Sequence, residues 1–92
     1  MEKINIGNLT LSEVKSKEAV ELEQLEVEGA SCGMRLSVAL YKGMPRLRLE
    51  GELRGFAPFV VGHYPVTRSG LAMVKNAIGD LDSKTIHLLA AG

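Results

Sequence analysis

The sequence predicts an α+β fold: an antiparallel β-meander of four to five strands packed against one C-terminal α-helix, with a short C-terminal strand as an option. Two observations carry this prediction. Apolar and polar residues alternate with a period of two over residues 34–41 and again over residues 46–53, which is typical of half-buried strands. Further along, Leu71, Val74 and Ile78 recur at the spacing of one helix face.

The segments before the alternating region are less regular. Residues 3–11 alternate weakly and predict a strand, and the polar residues 12–18 predict a turn. Residues 19–28 fit a strand only with a bulge near Glu23 and Gln24, because the apolar positions change parity there. A helix is the alternative for this segment, since Glu is a good helix former.

Pairing with the next strand favours a strand over a helix for residues 19–28. A loop over residues 29–32 sets Leu25 opposite Leu36 and Val27 opposite Met34, so apolar residues face apolar residues.

The register of the second hairpin is predicted from the even and odd numbering of its apolar residues. Apolar residues have even numbers before the turn and odd numbers after it, so a loop of even length keeps them on one face. A loop of either Gly43-Met44 or residues 42–45 gives the same register. The predicted pairs are Leu40 with Leu47, Val38 with Leu49, Tyr41 with Arg46, and Arg35 with Glu52.

The C-terminal half contains a strand, a helix and a short apolar run. Residues 59–66 predict the fourth strand, and Thr67 or Ser69 is suited to cap the helix that follows. Gly79 predicts the end of that helix through a left-handed conformation. Residues 84–89 resemble a strand, which returns to the sheet or docks onto a second subunit.

Length and charge constrain the class of protein. Ninety-two residues predict one domain, residues 1–92. The net charge is zero, but residues 1–28 sum to −4, residues 29–79 to +5 and residues 80–92 to −1. An acidic strand and a basic hairpin that neutralise each other across the sheet explain this asymmetry, and a basic binding face is the alternative.

Composition indicates a cytoplasmic protein without a membrane segment. No apolar run is typical of a signal peptide or a membrane span. The single Cys32 excludes an internal disulfide. Two His and one Cys at long spacing match no zinc motif, so no metal and no cofactor are predicted.

No catalytic group of residues is evident, so the chain is predicted not to be an enzyme. Cys32 falls in the predicted loop, far along the chain from His63, and no sequence feature brings them together. The start of the predicted helix, Thr67, Arg68 and Ser69, is a candidate anion-binding site, although helix capping also explains it.

The function predicted from these observations is non-enzymatic binding of another protein, as an adaptor, regulator or inhibitor. A homodimer is also expected, because one helix cannot cover the whole apolar face of the sheet. Nucleic-acid binding by the basic hairpin is the first alternative, and a small-ligand site near His63, Tyr64 and Arg68 is the second. The candidate partner-binding residues are Glu21, Glu23, Arg35, Tyr41, Arg46, Arg48 and Arg54.

Overall fold

The computed structural model describes residues 3–27 and 29–91, and within them it confirms the α+β meander. Its strands follow the order β1-β2-β3-β4 in a single antiparallel sheet. The strands are β1 (Val20–Val27), β2 (Ala30–Tyr41), β3 (Met44–Leu53) and β4 (Phe59–Tyr64). The helices are α1 (Leu11–Ser16), α2 (Arg68–Gly79) and α3 (Ser83–Ala91), and a single 3-10 turn spans Ile6–Asn8.

The hydrophobic core lies between one face of the sheet and the helices. Helix α1 contacts β2, whereas α2 and α3 both contact β3 and β4. The largest fully buried side chains come from the central strands, from β1 and from all three helices: Met34, Leu36, Leu47, Leu49, Ile86, Val14, Val20, Val74 and Cys32. This burial fixes which side of each strand faces inward, and the opposite side of the sheet is its outer face.

Strand β1 carries the predicted bulge, but its register at the turn differs from the prediction. The register shifts between Leu22 and Leu25, at the Glu23-Gln24 pair. Beyond the bulge Leu25 lies opposite Cys32 rather than Leu36. Gly29 has a φ of +81°, and this left-handed conformation lets the chain reverse before residue 30, so the predicted loop residues 30–32 join β2. Glu28, the last residue of the predicted strand, lies outside the described residues.

The register of the β2–β3 hairpin differs by two positions from the predicted register. Its loop is Lys42-Gly43, with φ values of +52° and +79°, because a tight two-residue hairpin loop requires left-handed residues. Val38 therefore pairs with Leu47 and Leu40 with Pro45. The predicted apolar face is preserved, because a shift of two residues keeps every side chain on its side of the sheet.

The prediction of a strand at residues 3–11 and a turn at residues 12–18 is wrong. Only Ile4 joins the sheet, through a parallel bridge to Leu22 of β1. The chain then forms the 3-10 turn and α1. The Thr10 hydroxyl accepts a hydrogen bond from the Glu13 N–H at 3.3 Å, and such an N-cap stabilises the first turn of a short helix.

Helix α2 begins at the predicted cap and ends at the predicted glycine, Gly79, but not in the predicted conformation. The Thr67 hydroxyl accepts a hydrogen bond from the Gly70 N–H at 3.0 Å, and Leu71, Val74 and Ile78 are buried. Gly79 is not left-handed. Asp80, with a φ of −89°, is the C-cap of the helix, and its N–H donates to the carbonyl oxygens of Asn76 and Ile78.

The C-terminal run forms helix α3 rather than a strand. Asp82 precedes it, and one carboxylate oxygen of Asp82 accepts a hydrogen bond from the Thr85 N–H at 2.7 Å. This bond lowers the pKa of Asp82, since it favours the charged carboxylate. The helix buries Ile86 completely against the sheet and leaves Leu88 67% exposed, so the consecutive apolar residues divide between two helix faces.

Candidate functional site: the outer face and the hairpin tip

Charged side chains on the outer face are partly neutralised by one another. The Arg35 Nε lies 3.7 Å from a carboxylate oxygen of Glu21, on the neighbouring acidic strand β1. The Arg48 Nε lies 3.2 Å from a carboxylate oxygen of Glu50, without the geometry of a hydrogen bond. The predicted Arg35–Glu52 pair is wrong, because the hairpin register sets Arg35 opposite Glu50.

An aromatic pair lies on the same face, closer to the β2–β3 turn. The rings of Tyr41 and His63 stack with centroids 4.0 Å apart and an interplanar angle of 24°. The Lys42 Nζ lies 5.4 Å from the centroid of the Tyr41 ring, within the range of a cation–π contact. Tyr41 pairs with Met44 and not, as predicted, with Arg46.

The β2–β3 turn exposes apolar side chains, and two of them, Val38 and Leu40, were assigned to the core by the alternation. We call residues 38–46 the hairpin tip. Leu40 is 74% exposed, Met44 56% and Val38 38%, although Val38 and Leu40 continue the buried row of β2. The hairpin extends past the helices that cover the rest of that row. The alternation of apolar and polar residues indicates which face of the sheet a side chain occupies. It does not indicate how far the helices extend along that face.

Cationic side chains accompany the apolar ones at the hairpin tip. One guanidinium nitrogen of Arg46 lies 4.0 Å from the Met44 sulfur. Neither Lys42 nor Arg46 forms an ion pair with a carboxylate in the described part of the chain. The tip therefore combines exposed apolar side chains, the Tyr41 ring stacked on His63 of β4, and positive charge that the described carboxylates do not neutralise.

The remaining predicted partner-binding residues lie elsewhere. Arg54 is exposed and follows the end of β3 that is remote from the hairpin tip. Glu23 lies at the bulge of β1, where its carboxylate accepts a hydrogen bond from the Asn5 side-chain amide at 3.3 Å. The predicted residues therefore divide among the tip, the middle of the outer face and the sheet margins.

The structure places the candidate anion-binding residues together at the start of α2, and it separates the candidate small-ligand residues His63 and Tyr64. Thr67 serves as the cap of α2, and Ser69 is exposed on the first turn. His63 lies on the outer face with Tyr41, whereas Tyr64 packs against the hydrophobic core. Arg68 lines a groove between α1 and α2. Adjacent residues of a strand point to opposite faces, and this separates His63 from Tyr64.

The position predicted for Cys32 is wrong, because it lies within β2 and is fully buried instead of occupying a loop. Burial raises the pKa of the Cys32 thiol, since the charged thiolate is disfavoured away from water. The sulfur lies 3.7 Å from the carbonyl oxygen of Gly33 and 3.8 Å from the sulfur of Met34. A protonated thiol in the core is a packing residue, not a nucleophile.

We expect the buried Cys32 thiol to react with maleimide only when the protein unfolds, and we expect stability to depend on pH. The pKa of the Cys32 thiol is raised in the folded state, as is the pKa of half-buried Tyr64. The folded state therefore retains protons that the unfolded chain loses, so stability is full at neutral pH and falls above about pH 9. Urea titrations from neutral pH to pH 11 measure this decline. A smaller decline in Cys32→Ala and in Tyr64→Phe would confirm the assignment, whereas an unchanged slope in both would contradict it.

Further observations describe the chain as a whole. Among residues 3–27 and 29–91, no three His, Cys, Asp or Glu side chains cluster as metal ligands would. No helix in this described part has the length and apolar character needed to cross a membrane. No protein-family model matches the chain, and neither curated protein sequences nor solved structures give a match.

Proposed function

We propose that this chain is a non-enzymatic binding protein that acts through protein–protein contacts at the hairpin tip, as an adaptor, regulator or inhibitor. The observation that carries the proposal is that the tip exposes apolar side chains on both of its faces: Leu40 (74%) on the core side, and Met44 (56%) on the outer face with the Tyr41–His63 stack. A cytoplasmic location is part of the proposal, since a single buried thiol needs no oxidising compartment.

Apolar side chains in this position supply binding free energy. Complete burial of a Leu or Met side chain stabilises a complex by about 1.5–3 kcal/mol, and tyrosine is enriched among the residues that dominate interfaces. The paired strands β2 and β3 hold the backbone of the tip, which limits the conformational entropy lost when a partner covers it. The proposed anchors are therefore Leu40 on one face of the tip and Met44 and Tyr41 on the other, so the partner encloses the tip.

The charges at the tip specify the chemistry of the partner. Lys42 and Arg46 form no ion pair within the described residues, so a partner that carries carboxylates gains electrostatic complementarity. The fitting partner is a protein surface with an apolar pocket bordered by Asp or Glu side chains.

A capture experiment with matched variants tests this proposal. Wild-type protein, Leu40→Ser and Leu88→Ser are immobilised, and proteins captured from a lysate of the source cells are quantified by mass spectrometry. Leu88 is 67% exposed on α3 and controls for the loss of an exposed leucine outside the tip. We expect one partner to be retained by wild type and Leu88→Ser but reduced at least ten-fold with Leu40→Ser. The purified partner must reproduce this difference in calorimetry, and equal retention by all three proteins would refute the proposal.

Nucleic-acid binding is the second candidate, because the Tyr41–His63 stack beside Arg46 resembles a platform for bases. Ion pairs at Arg35 and Arg48 speak against it. Fluorescence anisotropy with duplex DNA, single-stranded DNA and RNA, at low and near-physiological salt, tests this candidate. Salt-sensitive binding that is lost in the Arg46→Glu/Arg48→Glu double variant would favour nucleic acid over a protein partner.

A second copy of the chain is the remaining partner to test. Size-exclusion chromatography with light scattering measures the mass over a range of concentrations. A dimer that Leu40→Ser converts to a monomer, while Leu88→Ser remains dimeric, would make self-association the role of the hairpin tip. A monomer throughout would exclude the predicted homodimer.

A further inference from the structure

A second surface of interest lies on the helical side of the sheet, apart from the outer face. Helices α1 and α2 border an open groove with a volume of about 800 Å³. Lys15 of α1 and Arg68 and Lys75 of α2 line this groove. Apolar side chains line it as well, and they are Leu11, Leu71 and Ala72.

The positive charge in this groove is not neutralised by the described residues. Lys15, Arg68 and Lys75 form no ion pair there, and no carboxylate is among the lining side chains. The acidic residue of α1, Glu13, has a carboxylate oxygen 3.2 Å from the Thr10 hydroxyl, at the start of its helix. Three cations along one concave surface produce a local positive potential in a chain whose net charge is zero.

The side chains between the cations distinguish between classes of anionic ligand. Nucleic-acid sites combine cations with aromatic rings on which bases stack, and the residues lining this groove include no aromatic ring. Apolar residues between cations instead suit a peptide that alternates apolar and acidic side chains, as when an amphipathic helix lies in a groove. We infer that this groove binds an acidic amphipathic segment of a partner protein. The inference is independent of the hairpin tip.

Peptide titrations test this inference. The probe is a fluorescein-labelled synthetic peptide of about 14 residues, with Leu at helical spacing of three and four and Glu at the other positions. The matched peptide has Gln in place of every Glu. Anisotropy measures affinity, and ¹⁵N-¹H NMR spectra of the wild-type protein locate the bound peptide. We expect saturable binding of the Glu peptide, with shifts concentrated at α1 and at the first two turns of α2.

Matched charge reversals assign the binding to the groove. Lys15→Glu/Lys75→Glu should weaken binding at least ten-fold. Lys3→Glu/Lys84→Glu changes the net charge equally at exposed positions outside both the groove and the hairpin tip, and it should leave the affinity within two-fold of wild type. Circular dichroism verifies that all variants are folded. Equal weakening by both double variants, equal binding of the Gln peptide, or the absence of saturable shifts would overturn the inference. Tighter binding of single-stranded DNA with the same dependence on Lys15 and Lys75 would also overturn it, in favour of nucleic acid.

Discussion

Gly70→Ala should destabilise the protein by about 3 kcal/mol or more, a large fraction of the stability of a small domain. A Cβ atom at Gly70 would overlap the carbonyl oxygen of Pro65, which is a backbone atom that cannot rotate away. Relief requires α2 to move from the end of β4, and the buried Leu71 and Val74 would move with it. Urea denaturation monitored by circular dichroism measures the loss.

Gly79→Ala is the matched control in the same helix. Apart from its chain neighbours and the backbone of its own helix, no atom lies within 4 Å of the position that a Cβ atom would take at Gly79, and the φ of Gly79 is not positive. Alanine there should leave stability unchanged or raise it by about 0.5–1 kcal/mol, because glycine has greater backbone freedom in the unfolded chain. Similar effects of the two substitutions would contradict the close packing of α2 on Pro65.

Leu36→Ala should cost about 3 kcal/mol of stability. Leu36 is fully buried in the middle of the sheet, between Val20 of β1 and Leu49 of β3. Its loss leaves a cavity that two paired strands cannot close, so the lost transfer free energy and the cavity both contribute. In a domain of this size, a loss of 3 kcal/mol lowers the melting temperature by roughly 12–24 °C.

Leu40→Ala is the counterpart of Leu36→Ala on the same strand, and it tests whether Leu40 contributes to stability or is available for binding. Leu40 lies four residues from Leu36 on the same side of β2, yet it is 74% exposed. The same substitution should therefore change stability by less than about 0.5 kcal/mol. Calorimetric unfolding of both variants measures the contrast. A loss at Leu40 as large as that at Leu36 would mean that the hairpin tip is part of the core, and it would remove the basis of the proposed binding surface.

The sheet was predictable because its physical determinants are local. Alternation over β2 and β3 established which side of each strand is buried, and the parity change at Glu23-Gln24 indicated the bulge. The register depended on turn geometry that alternation does not encode. Lys42 adopts a left-handed conformation together with Gly43, and this one choice moved every pair of the second hairpin by two positions.

Two helices were missed because their signals are short. Helix α1 has six residues and one fully buried side chain, so apolar periodicity is weak there. Thr10 and Glu13 form the spacing of an N-terminal cap, and that pattern could have identified α1. Asp82 similarly precedes α3, but Ile86, Leu88 and Leu89 within the short run 84–89 are typical of a strand as well.

The candidate surfaces were predictable only in part, because they depend on how distant elements pack together. Arg35 and Glu21 were assigned to neighbouring strands, and the sheet brings them into an ion pair. The exposed hairpin tip depends on how far the helices extend, and the cationic groove depends on α1 lying beside α2. Residues 60 positions apart in the chain, such as Lys15 and Lys75, meet only through tertiary packing.

The sequential strand order has a consequence for the time course of synthesis. Each strand pairs with its neighbour in sequence, so the contacts of the sheet are local and its formation is fast. Residues 65–91 leave the ribosome after β4, which takes roughly one to five seconds at about 5–20 residues per second. During that interval Leu47 and Leu49 face water on the side that α2 and α3 later cover. The sheet alone therefore exposes an apolar face during synthesis, and the packing of the two helices that follow β4 removes this exposure.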